Sequence, residues 1–190
     1  MIPARALLVF DTSALHHFAL ADRLDVLGSF VEGHVAVTTN AVRQELERSA
    51  AGDGWLGRLS AADWLVTRHV DDLDELVPLG RWLERTGAGR YDRGEATVLA
   101  HAEVHHGVAI MDDKRATRLG RGFGVEVHGT LRIIADACAA GRTSAAAVAG
   151  LIDTLRASGA RYPCDGAGFG EWMRANPSRP VERRKVRIVR

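Results

Sequence analysis

Short, almost wholly apolar runs alternate along this chain with stretches whose apolar residues recur every three or four positions. A bounded apolar run of four to eight residues reads as a buried strand, and the longer period reads as an amphipathic helix. "ARALLVF" (4–10) predicts a buried strand that ends at Asp11. "SALHHFALA" and "RLDVLGSFV" predict helices, and "HVAVTT" predicts a second strand. "AVRQELERSA" is helical with Asn40 as its cap, and "WLVTR" (64–68) is a third short strand. "DDLDELVPLGRWLERTG" predicts a helix closed by Gly87, and "RGEATVLAHAEVHHG" one that ends at Gly107. "VAIM" is a fourth strand and "VEVH" (125–128) a fifth, followed by the helices "TLRIIADACAAG" and "SAAAVAGLIDTLRASG". Strands alternating with helices predict an α/β fold with a parallel sheet.

At 190 residues, 46% hydrophobic and 26% charged, the composition is that of a soluble globular domain with ample length for a core. No repeat or long linker divides it. The expected organisation is a core over 1–141, a helical extension of the same domain over 142–176 and a basic tail over 177–190. No apolar run approaches the roughly 18 residues of a membrane span, and the first residues lack the layout of a secretory signal. Cys138 and Cys164 form no CxxC pair. Reduced thiols and a cytoplasmic location are therefore expected. A net charge of +1 points to no particular partner, although "RRKVRIVR" (183–190) concentrates cations at the end of the chain.

The acids are distributed less evenly than that net charge suggests. Ligands of an open parallel sheet bind at the carboxyl ends of its strands. Asp11 ends the first strand, and Asp112 and Asp113 end the fourth. Glu45 lies early in the helix after strand two, and "DRGE" places Asp92 and Glu95 where the helix before strand four begins. Each has a plain reading as well. Asp11 and the Asp112–Asp113 pair can cap helices, Asp92 and Glu95 fit a capping box, and Glu45 stands between Arg43 and Arg48. Capping alone does not require all of them to converge on one rim. A cluster of carboxylates suits hard divalent cations, which take oxygen ligands. Two such ions roughly 3.5–4 Å apart can activate water and stabilise a leaving oxygen in phosphodiester cleavage.

The stretches "VFDTSAL" (9–15), "TTNAVRQELE" (38–47), "RGEATVLAHA" (93–102), "AIMDDKRATRLG" (109–120) and "VEVHGTLRIIADACAAG" (125–141) together resemble the PIN-domain nucleases, particularly the VapC-type toxin ribonucleases. The resemblance implies a three-layer α/β/α domain around a central parallel sheet of about five strands. It implies a metal-dependent endoribonuclease using Mg²⁺ or Mn²⁺, with Asp11, Glu45 and Glu95 as acids of the site. The fourth acid falls at Asp112 or Asp113, and Asp92 competes with Glu95 for its role. Thr12 or Ser13 would orient a water or a phosphate, and Lys114, Arg115 and Arg118 would neutralise substrate phosphates. The same resemblance implies a homodimer, an RNA substrate and a small antitoxin partner. The alternatives are a silent PIN module binding RNA or protein, and a structure-specific DNA nuclease.

His101 and His105 stand four apart on one helical face, a spacing that can bind zinc. The pattern is not HExxH, because Glu103 is misplaced for that general base, and it reads here as packed or exposed histidines. "GRGFG" (120–124) precedes a strand rather than opening a helix and reads as a turn, and no phosphate-binding GxxxxGK[ST] loop is present.

Overall fold

A computed structural model describes residues 2, 5–49, 57, 59, 61–70, 73–87 and 93–177. Asp92 and residues 178–190 of the basic tail lie outside these. The five strands are β1 (Leu7–Phe10), β2 (Val35–Thr39), β3 (Leu65–Arg68), β4 (Val108–Ile110) and β5 (Glu126–His128). All pair in parallel, in the order β3-β2-β1-β4-β5. Both neighbours of β1 are buried strands. Leu8, Val9, Phe10, Ala109 and Ile110 are fully enclosed, which is why their runs are apolar without alternation.

Between the strands stand α1 (Thr12–Leu20), α2 (Leu24–Phe30), α3 (Asn40–Ser49), α4 (Leu73–Thr86), α5 (Gly94–Val104) and α6 (Lys114–Gly122). After β5 come α7 (Thr130–Ala139), α8 (Ala145–Ala157) and α9 (Phe169–Ala175). The architecture is three-layered α/β/α, as the PIN resemblance implied, and its sheet is parallel, as expected from the alternating pattern. Strand one is shorter than its apolar run, beginning at Leu7, and Asn40 opens α3 as a helical residue rather than standing before it. The helical extension shares the main core: Val148, Ile152 and Leu155 of α8 and Phe169 of α9 are buried in the same apolar cluster as the sheet. His17 of α1 ties the two regions together, its Nδ1 lying 3.1 Å from the Ser158 carbonyl.

The strand order decides where a ligand site can form. From β1 the chain steps to β2 on one side, whereas β4, on its other side, is followed by β5 further out. A crevice opens at such a reversal, beyond the carboxyl ends of the strands. Asp11 and the Asp112–Asp113 pair leave adjacent strands here, and the Asp11 N–H donates to the Ile110 carbonyl at 2.9 Å.

Candidate active site

Asp11 ends β1 and caps α1. Its Oδ2 accepts from the Ser13 N–H at 3.1 Å and the Ser13 hydroxyl at 2.7 Å. Its Oδ1 is buried with no hydrogen-bond partner among the described residues. Burial dominates its acidity and pushes the pKa up to about 6, with the charge of Glu45 adding to the effect and the Ser13 bonds opposing it. A buried oxygen without a partner is costly unless something else binds it.

Glu45 reaches the crevice from the second turn of α3. Its Oε1 accepts from the Gly94 N–H at 2.6 Å and its Oε2 from the Thr12 hydroxyl at 2.9 Å. The first bond replaces a cap. Arg93, the residue before α5, offers no side-chain acceptor, so a carboxylate from another helix satisfies the free N–H. The predicted capping box is not formed in that register, because Glu95 is the second residue of α5 rather than the third. Glu95 lines the cleft instead, its pKa raised to about 7 by burial, then by the charges of Asp11 and Asp113, with Arg115 opposing.

The two acids after β4 diverge. Asp113 lines the cleft and caps α6 through Oδ1, which accepts from the Arg115 and Ala116 N–H groups at 2.8 Å each. That leaves Oδ2 outside these bonds. Asp112 faces the other side. Its Oδ1 accepts from the Thr130 N–H at 2.7 Å and its Oδ2 from the Thr130 hydroxyl, so it holds the start of α7. Its pKa is also raised by burial.

Asp11, Glu45, Glu95 and Asp113 therefore share one cleft of about 450 Å³ with Thr12, Ser13, His16, His17, Thr86, Gly87 and Arg115. Asp112 does not line it. Of the cations singled out in the sequence, Arg115 belongs to it and also donates to the Thr86 carbonyl at the end of α4. Lys114 lines a neighbouring groove with Asp112, and Arg118 is exposed and bonds the Lys114 carbonyl. His16 and His17 were not anticipated. Burial lowers both imidazole pKa values, and the only sequence signal was a pair of polar residues between the apolar residues Ala14–Leu15 and Phe18–Leu20.

The cleft holds oxygen donors from four chain segments, an unpartnered buried carboxylate oxygen, and neighbouring acids whose charges help raise the pKa values of Asp11 and Glu95. Such a donor set fits a hard divalent cation. These features define a carboxylate-lined site at the switch point of a parallel sheet. A family model described as a PIN domain matches residues 7–165, and the chain belongs to that family, whose fold is that of a nuclease. No curated protein matches the chain. The family match runs beyond residue 141, through α8 and the turn after it.

Proposed function

We propose that this protein is a Mg²⁺- or Mn²⁺-dependent endoribonuclease and the toxin of a type II toxin–antitoxin pair. The observation that carries the metal-dependent reading is the buried, unpartnered Oδ1 of Asp11 in a cleft that Glu95 and Asp113 also line. It also speaks against a silent module, which has no need to keep a costly buried acid. Asp11, Glu95 and Asp113 would hold the ion. When bound, a divalent cation supplies the charge that ionises water near neutral pH and stabilises the departing oxygen of a phosphodiester.

The remaining residues prepare that site. Ser13 fixes one oxygen of Asp11 and directs the other inward, while Thr12 holds Glu45 beside it. Arg115 offsets part of the acid repulsion, and its guanidinium is available to a phosphate oxygen. A single-stranded nucleic-acid substrate is supported by the groove of about 540 Å³ lined by Lys114, Arg121, Arg132 and Arg161 with Tyr162 and Trp172, and RNA in particular by the resemblance to VapC-type proteins. Cations give backbone affinity, and an aromatic face stacks an unpaired base. The toxin role, the antitoxin partner and the cytoplasmic setting rest on the resemblance to VapC-type proteins. The homodimer is supported by the exposed Leu73, Leu76 and Val77 along α4.

Full-length Asp11→Asn protein is expected to lose Mg²⁺-dependent cleavage of an RNA oligonucleotide while keeping its melting temperature. Asn preserves the shape and the Ser13 contacts but not the charge. Undiminished cleavage by the folded variant would remove the assignment. Cleavage of matched single-stranded DNA in preference to RNA would favour the DNA-nuclease alternative.

A further inference from the structure

Away from the acidic cleft, a second group of ligand-type side chains converges between α4 and α5. Glu75, in the first turn of α4, is 1% exposed, and His101 of α5 is 6% exposed. The Nδ1 of His101 lies 2.6 Å from Glu75 Oε1, and the Nε2 of His105 lies 2.8 Å from the same oxygen. One ligand atom from each of the three residues falls within 4.8 Å of the others. His101 and His105 are one helical turn apart, so they stand side by side on the face that meets α4.

We infer that Glu75, His101 and His105 form a binding site for a borderline transition-metal ion, Zn²⁺ first, separate from the carboxylate cleft. The charge balance supports this. Neither Lys nor Arg pairs with Glu75 among the described ion pairs, and its only ion-pair partners there are the two imidazoles. With both rings neutral, the group buries a full negative charge, which is expensive unless compensated.

Two imidazoles and one carboxylate are a known zinc set, with a fourth position left for water. Imidazole nitrogen also discriminates against Mg²⁺, which the oxygen-only cleft suits. Access comes from His105, whose side chain is 44% exposed. On binding, His101 presents Nδ1 and carries its proton on Nε2, while His105 presents Nε2 and carries its proton on Nδ1. No net proton is released when both rings start neutral.

His101 stands six positions after Glu95, about 9 Å of helix rise, so the two sites do not share ligands. They do share helices. α4 ends at Thr86 and α5 begins beside Glu95, both lining the cleft. An ion joining α4 to α5 would therefore brace two walls of the cleft from a distance.

The test uses chelator-treated full-length protein titrated with Co²⁺ and then Zn²⁺. Wild-type protein is expected to take one equivalent of Co²⁺ with the intense visible absorption of a four-coordinate site, and Zn²⁺ should displace it. Asp11→Asn should leave this binding within about threefold of wild type, because the cleft is not involved. His105→Ala, at an exposed position, should weaken it at least about 100-fold by removing one of only three protein ligands. His105→Cys should restore binding and add a thiolate-to-cobalt charge-transfer band, which a hydrogen-bonding role cannot produce. The inference is overturned if wild-type protein develops no such absorption. It is equally overturned if His105→Ala leaves affinity unchanged, if Asp11→Asn abolishes it, or if folded His105→Cys protein lacks the thiolate band.

Discussion

Asp112 and Asp113 are identical side chains one position apart, yet their surroundings give them opposite tasks. Residues leaving a strand alternate in direction, so only one can face the crevice. Asp113 does so while capping α6 with its other oxygen. Capping and metal binding are thus compatible, as they are at Asp11, because a carboxylate has two oxygens. Asp112 spends both of its oxygens on Thr130. At saturating Mg²⁺, Asp113→Asn is expected to abolish RNA cleavage with little loss of stability. Asp112→Ala should keep measurable cleavage, reduced about 10–100-fold at most, and lose about 1–3 kcal/mol of stability as the start of α7 is left unsatisfied. Paired cleavage assays and urea unfolding curves distinguish the two. The reverse pattern would move the fourth acid of the site to Asp112.

Among the elements, the meeting of α3 with the start of α5 positions the site most directly. Gly94 has no side chain, and Glu45 occupies the space that one would need. A β-carbon built at Gly94 would stand 2.3 Å from Glu45 Oε2. Alanine is favoured over glycine in a helix by about 1 kcal/mol, so Gly94→Ala should fold. The obstructing atom is the end of a flexible side chain, which can turn away. The cost then falls on the site, since Glu45 loses its bond to the Gly94 N–H and its alignment with Thr12. Cleavage by Gly94→Ala is expected to drop at least about tenfold, while its melting temperature stays close to that of the parent. A kinetic assay beside a thermal melt checks this, and full activity would mean that Glu45 is not needed in its observed position.

For the molecule as a whole, the acidic cluster links stability to pH and, under the proposed function, to metal occupancy. Asp11 and Glu95 have their pKa values raised to about 6 and about 7. An acid whose pKa is higher folded than unfolded favours folding while protonated. That contribution is complete below the ordinary carboxylate range near ~4 and is lost as pH rises through the folded values. Four wholly or partly buried histidines act in the opposite sense. His16, His17, His34 and His101 are lowered from 6.5, so their penalty appears as pH falls below that value. The clean window therefore lies above it. Metal-free protein is expected to lose melting temperature between about pH 6.5 and 8 as the cleft ionises, and Glu95→Gln should flatten that slope. Mg²⁺ at pH 8 should restore what ionisation removes, by binding the folded state. A melting series at several pH values, with and without Mg²⁺, provides the check.

What could be read from the chain alone was whatever depends on local period and on chain direction. Apolar runs marked all five strands, and spaced apolar residues marked the main helices. In a parallel sheet every strand ends at the same edge, so chain direction alone assigns Asp11, Glu45, Glu95 and the pair after β4 to one rim. The direction of each side chain could not, because contacts between residues distant in sequence decide it. Glu45 meets Gly94 across 49 positions, and Asp112 meets Thr130 across 18. Glu75 joins His101 across 26, and this turned two histidines that read as ordinary packing into part of a three-residue cluster. Residue type and period record which face of an element is buried. Which polar group is buried against which depends on how the helices pack, and only the tertiary structure decided that.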